Sequence, residues 1–218
     1  MNRLGLTRRQ VLAGSLFALA GLAAPALARH APSVTTIGGF AFGTQWRATL
    51  RPSAKSEALQ SHLEMTLRRI DVLMSPWRRD SAITTFNASL SRDWQAIDGE
   101  IAAVVRAALA IRDASGGAFD PCVGPLVGRW GFGPITAAPV PDDTQIAVVG
   151  NALRKSLPEA TLDLCGIAKG HALDQMLAVL RSHGAVDFVL DLGGEIVACG
   201  NHPSGRSWQI GVEDPRQG

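Results

Sequence analysis

The stretch Leu162–Asp174, LDLCGIAKGHALD, decides how this chain is read. Its start reads as a buried strand. Its end reads as a helix whose apolar face carries Ile167, Leu173, Met176, Leu177 and Leu180. Between the two stand Asp163, a turn centred on Gly166, and Lys169, although a plain strand-to-helix connection needs neither charge. Two readings stand. In one, Asp163 caps the helix and Lys169 is solvated. In the other, Gly166 lets the backbone approach a phosphate or metal closely, and the helix start directs N–H groups and positive potential at an anion. Lys169 then adds a mobile point charge for phosphate, and Asp163 accepts from a ring N–H or a ribose hydroxyl. His171 has no partner at metal-like spacing and reads as structural or exposed. Asp174 lies on a different helical face from Lys169 and reads as a buried carboxylate.

Working outward, residues 34–50 alternate in a strand-like way around Phe42–Thr44. Leu59, Leu63, Leu67, Ile70 and Leu73 then recur at spacings of three and four, which predicts an amphipathic helix ending before Pro76. SPWRRDSAITTFNAS (75–89) reads as a loop with one short helical turn. Asp98 is a candidate N-cap for a second helix that runs through Ile101, Val105 and Leu109 to a stop at Gly116-Gly117. The Gly- and Pro-rich segment from Gly116 to Pro134 reads as an ordered loop with a short helical piece. Ala138–Asp143 reads as a linker and 144–157 as a weak helix. After the helix that follows Lys169, VDFVLDLGGEIVACG predicts strands around a turn at Gly193-Gly194, and SWQIGVEDP (207–215) predicts a last strand. Strands and helices mix without strict βαβ alternation, so the fold class is α+β, with mixed sheets packed against helices. DLGGE (191–195) opens no helix and is no dinucleotide fingerprint.

The 218 residues, 46% hydrophobic and 18% charged, suffice for one sizeable domain or two small ones sharing a core. A net charge of +2 with no long basic run gives no support for nucleic acid as a partner. At the N-terminus, TRRQVL (7–12) sets paired arginines before a Gly- and Ala-rich apolar run, and Ala26-Leu27-Ala28 offers a small-x-small cleavage site. Residues 1–28 therefore read as a twin-arginine signal peptide, with the mature domain at 29–218 and a periplasmic location. An uncleaved inner-membrane anchor is the alternative. Cys122, Cys165 and Cys199 show no metal-like spacing. They read as three buried small apolar residues, although an oxidising compartment would allow one disulfide. Trp77, on a loop after a helix, reads either as a wall for a ring ligand or as a core-edge residue. Asp120 reads either as a ligand contact in the tight GAFDP turn or as a cap of the helical piece after it.

Five separated motifs then agree in order: FGTQW (42–46), MSPWRRDSAITTFN (74–87), SGGAFDPCVGPLVGRWGFG (115–133), LDLCGIAKGHALD (162–174) and DLGGEIVACGNHPSGRSWQIGVEDP (191–215). Together they resemble the ApbE family of FAD:protein FMN transferases. The resemblance implies an ApbE-like fold and an enzyme that uses FAD as substrate and Mg²⁺ as cofactor. It would move FMN, through its phosphate, to a Thr of an acceptor flavoprotein subunit and release AMP. It further implies peripheral association with membrane redox complexes. Carried over by position, the FAD contacts are Phe42, Trp77, Ala118, Phe119, Asp120, Asp163 and Lys169, and the carbonyl of Gly166 faces Mg²⁺. Phe42 stands where the family commonly has Met, and Cys165 where Gly or Ser is usual. The family's later His-x-x-Asp-Pro and Asp-Ala-x-x-Thr segments have no counterpart before Gly218, nor does some strand structure between Pro141 and Leu162. The resemblance thus implies a domain incomplete at its C-terminus, with the catalytic base and most Mg²⁺ ligands expected beyond it. On that reading the 218 residues bind flavin weakly and transfer it barely; the alternative is a non-catalytic FAD-binding module or pseudoenzyme.

Overall fold

The computed structural model describes residues 33–52, 56–136, 145–212, 214 and 216. The signal segment at 1–28 and the linker at 138–143 lie outside these residues. In chain order the elements are β1 (Thr35–Ala41), β2 (Thr44–Leu50), α1 (Ser56–Met74), α2 (Ala82–Ala88), β3 (Gln95–Ala96), α3 (Gly99–Ala114), α4 (Gly124–Arg129), β4 (Ile146–Val149), β5 (Ala152–Lys155), α5 (Cys165–Ser182), β6 (Phe188–Leu192) and β7 (Glu195–Cys199). The class is α+β, as the sequence predicts, and both sheets are antiparallel.

The larger sheet runs β1-β2-β6-β7. Its register explains its core. Trp46 pairs with Leu192, Ala48 with Leu190 and Leu50 with Phe188, and all six are buried. Alternate residues share a face, so these direct cross-strand pairs form one apolar stripe. The stripe belongs to the same core as Leu59, Leu63, Leu67, Ile70 and Met74 of α1, and Ala172, Leu173, Met176 and Leu180 of α5. The three-to-four spacing seen in α1 is thus the face that the sheet requires, with Leu73 only partly covered and Met74 in its place. Asp98 caps α3 as predicted, accepting from the Glu100 N–H at 2.8 Å.

Glu100 joins three helices. It accepts from Arg69 of α1 at 2.7 Å and from the His171 Nε2 of α5 at 2.8 Å. His171 is therefore structural. Burial pushes the Glu100 carboxyl up, but the hydrogen bonds from His171 and Arg69 outweigh it and hold the group below its ordinary value.

Several expectations need correction. Where a weak helix is expected at 144–157, Ile146–Val149 and Ala152–Lys155 form the β4–β5 hairpin. The Gly150-Asn151 dipeptide, with Gly150 at φ 55°, makes a two-residue turn between two short antiparallel runs, and that turn chemistry overrides a weak helical pattern. Leu162 begins no strand: residues 160–164 are largely buried but have no regular structure and belong to neither sheet. Among the described residues the last predicted strand forms only one bridge, Asn201 to Ser207. Trp208 is tethered instead by its indole N–H to the Cys199 carbonyl at 2.9 Å. Asp174 is exposed, because the stripe of α5 that meets the core runs through Ala172, Leu173 and Met176. All three cysteines are free, and Cys165 reaches the surface at the first position of α5 rather than sitting in the core.

Glu100→Gln should lower stability by about 1–2 kcal/mol, the value of hydrogen bonds to a charged group discounted for a solvated Arg69. A carboxyl held below its ordinary value stabilises the fold above that value, and the contribution is lost as pH falls through the depressed one. Urea unfolding should therefore show a gap between wild type and Glu100→Gln at neutral pH that narrows below about pH 4, near the ordinary Glu value. A gap that is absent, or that widens at low pH, would remove this three-helix junction.

Candidate active site

The site is built where two hairpin ends meet the start of α5. Phe42-Gly43 forms the two-residue turn between β1 and β2, with φ 52° and 72°. Gly suits that geometry, whereas an aromatic residue there is strained by about 1–3 kcal/mol. Phe42 is the one non-glycine residue at positive φ among the described residues. At the same end of the sheet Gly193-Gly194 turns β6 into β7, with φ 59° and 90°. The two turns are in contact: a Cβ on Gly193 would lie 2.6 Å from the Thr44 methyl, and the Gly193 N–H donates to Gln45 O at 3.0 Å. The glycine pair thus makes a turn and a close approach to the neighbouring hairpin. It also brings Glu195, the first residue of β7, within 3.2 Å of the Lys169 Nζ.

Trp77 comes from the loop after α1. Ser81 closes that loop. Its hydroxyl donates to Ser75 O at 2.7 Å and accepts from the Thr84 N–H at 3.1 Å, so one buried side chain both ties the loop and caps α2. Arg78 adds ion pairs to Asp71 at 3.3 Å and Asp80 at 2.9 Å. The loop presents Trp77 with 68% of its surface exposed, which disfavours the core-edge reading. Phe42, Trp77 and Lys169 line one cleft of about 650 Å³, together with Met74, Arg78 and Cys165. That volume is in the range of small-molecule sites, with aromatic walls and cationic groups at one place.

The remaining predicted residues gather at the first turn of α5. Asp163, the residue before the N-cap Leu164, accepts from the first helical N–H, that of Cys165, at 2.9 Å, while Lys169 is ion-paired rather than solvated. The Asp163 N–H donates to Pro121 O at 2.7 Å, which fastens the GAFDP turn to the segment before α5. Within that turn Asp120 accepts from the Cys122 N–H at 2.9 Å and lies 3.7 Å from the Arg112 Nε. It therefore stabilises the turn ahead of α4. Phe119 lies on Gly166, where a Cβ would come within 3.0 Å of the ring, so the glycine permits a close aromatic approach. Ala118 is exposed beside it. Gly166 faces a shallower groove with His171, Asp174 and Glu195, separate from the Trp77 cleft. Burial pushes the Cys122 thiol up to about 12, and Asp120 adds to it. The Cys165 thiol is likewise pushed up to about 12, by partial burial and then by Asp163, so neither is a ready thiolate. Sequence reasoning missed Asp71, Arg78 and Glu195. Glu195 had a signal in its place just after the Gly-Gly turn; the other two sit among surface charges that carry none.

The chain is similar to proteins of one family in sequence and in fold. Residues 42–218 match the ApbE family. A FAD:protein FMN transferase from Vibrio cholerae serotype O1 is 33% identical over 94% of this chain and 64% of its own length. A FAD:protein FMN transferase from Escherichia coli K12 is 29% identical over 97% of this chain and 66% of its own length. The chain thus spans just under two thirds of these curated relatives. Among solved structures, the flavin transferase ApbE from Vibrio cholerae superposes with a TM-score of 0.75 at 30% identity, over 84% of this chain and 65% of that one. The apo flavinyl transferase ApbE of Pseudomonas stutzeri gives 0.74 at 25% identity, over 83% and 66%. With a family match over most of its length and the same α+β architecture, the chain belongs to the ApbE family.

Proposed function

We propose that this protein binds FAD and serves the transfer of its FMN half to an acceptor flavoprotein subunit. The observation that carries the reading is the cleft in which an exposed Trp77 and a strained Phe42 meet Lys169 beside the start of α5. Aromatic walls suit the isoalloxazine ring. The helix start and Lys169 supply positive potential for the pyrophosphate, with Glu195 holding the lysine in reach. Asp163, Phe119, Asp120 and Ala118 complete the contacts on the other side of the α5 turn. In the transfer, a Thr hydroxyl of the acceptor attacks the FMN-side phosphorus. The P–O bond to AMP breaks as the bond to the Thr oxygen forms, and the Thr proton passes to a base outside the residues assigned here. Positioning and electrostatics carry most of such a reaction.

Mg²⁺ dependence is part of the proposal, but the described residues do not fit a magnesium set. Magnesium wants near-octahedral oxygens, whereas among the described residues no three ligating side chains come together, and Gly166 would offer one backbone carbonyl. No step is therefore routed through the metal. Periplasmic location, with export through Arg8-Arg9, and peripheral association with membrane redox complexes belong to the same proposal.

FAD titration, followed by flavin and tryptophan fluorescence with and without Mg²⁺, tests the reading, and labelling of a Thr-containing acceptor tests transfer. Saturable FAD binding is expected. Trp77→Ala should weaken it about tenfold or more, the value of one lost stacking contact, while changing stability by less than about 0.5 kcal/mol. Binding without labelling would favour the non-catalytic module. No binding would overturn the proposal.

Asp163 needs a substitution that spares its bond to the helix start. Asp163→Asn keeps an acceptor for the Cys165 N–H, so the fold should hold while FAD affinity falls by the about 1.5–3 kcal/mol of a charged hydrogen bond. Unchanged affinity in the folded variant would strike Asp163 from the site. For export, Arg8→Lys with Arg9→Lys should retain the protein in the cytoplasm; normal periplasmic recovery of that variant would exclude the twin-arginine route.

A further inference from the structure

The segment before α5 poses a problem that its own sequence does not solve. Ala160, Thr161, Leu162 and Leu164 are buried, yet the segment pairs with no strand. Buried backbone groups need partners. For Leu162 both come from one side chain: Asn87 Nδ2 donates to Leu162 O at 2.8 Å, and the Leu162 N–H donates to Asn87 Oδ1 at 2.8 Å. A carboxamide has one acceptor and one donor side by side, so it meets a peptide edge as a neighbouring strand would. Asn87 lies in the last turn of α2, 75 residues away in sequence.

The clamp is itself held. Lys155 of β5, only 2% exposed, lies under the end of α2. Its ammonium donates to Asn87 O at 2.9 Å, Ser89 O at 2.6 Å and Pro158 O at 3.3 Å, and sits 5.0 Å from the centre of the Phe86 ring. An ammonium has three N–H groups, and here three carbonyls receive them. These are carbonyls at the end of α2 and of the loop after β5. The lysine therefore fixes the helix end that carries Asn87 relative to the chain that leads into Leu162.

We infer that Asn87, braced by Lys155, is the positioning residue that sets Asp163 and the first turn of α5 at the distance FAD binding requires. The inference rests on the functional reading above. Asn87 touches no part of the cleft. It acts on Leu162, whose next residue is Asp163 and whose path fixes where α5 begins. The Trp77 loop is tied at the opposite end of α2, through the N-cap Ser81, and through Arg78 to Asp71. Loss of the clamp should thus displace the α5 wall of the cleft, which carries Cys165 and Lys169, and leave the Trp77 and Phe42 walls in place.

The test compares FAD with riboflavin, which has the ring but no phosphate, on wild type and Asn87→Asp, with thermal unfolding as a control for folding. At pH 8 a carboxylate keeps the acceptor for the Leu162 N–H but sets a second oxygen against Leu162 O. FAD affinity should fall at least tenfold while riboflavin affinity changes less than threefold. Equal losses for both ligands would mean general damage and would overturn the inference, as would wild-type FAD affinity in the variant at pH 8. Should Asn87→Asp not fold, Lys155→Met is measured at pH 8: selective loss of FAD over riboflavin supports the positioning role, and equal or no loss overturns it. Wild type that binds no FAD overturns the functional reading and this inference together. Wild type that binds while both variants behave like it overturns this inference alone.

Discussion

A buried stretch of backbone with no strand beside it is the constraint on which the site depends. Residues 160–164 carry the chain from the β4–β5 hairpin through the core to the start of α5. Their peptide groups cannot stay unpaired without a cost of about 1–3 kcal/mol each. The protein meets this need from outside either sheet, with Asn87 on Leu162 and Pro121 O on the Asp163 N–H. Those two partners come from the TTFN end of α2 and from the GAFDP turn. Three motifs distant in sequence are thereby joined at one place, and α5 starts where they meet.

The other half of the site follows from the larger sheet. The register that buries Trp46, Ala48 and Leu50 against Leu192, Leu190 and Phe188 also fixes both hairpin turns at one end. A shift by one residue would turn each of these side chains to the opposite face. Gly193 allows the β6–β7 turn to touch Thr44, and so Phe42 and Glu195 reach the same region as Lys169. Phe42 keeps a positive φ that a Gly or Asn would adopt with less strain. Backbone strain of this sort persists where packing overdetermines it, and here it accompanies an aromatic ring at a cleft.

Legibility in the sequence tracked the range of the interaction. Local chemistry was readable: the stripe of α1, the Asp98 cap, the Gly193-Gly194 turn and the glycine stop after α3 all have short-range causes. In the 144–157 stretch a weak helical periodicity competes with the Gly150-Asn151 turn signal, and the turn decides the structure. The strand expected at Leu162 is absent for a deeper reason. An apolar run looks the same whether a strand or a side-chain amide pairs it. The site residues were picked out by resemblance across five motifs, whereas their partners were not. Asn87 stood inside one of those motifs, and its only warning was a poor helix former in the last turn of a helix with no capping duty there. The Lys169–Glu195 and Lys155 contacts arise from tertiary folding and leave no local pattern.

The central claim is that flavin is held jointly by the Trp77 loop and the first turn of α5. Amide hydrogen exchange with and without saturating FAD tests it most directly. The account predicts slower exchange in residues 75–80 and 163–169, with the β4–β5 hairpin at 146–155 unchanged. Protection confined to some other region, or no change at either segment under conditions where FAD is bound, would contradict it.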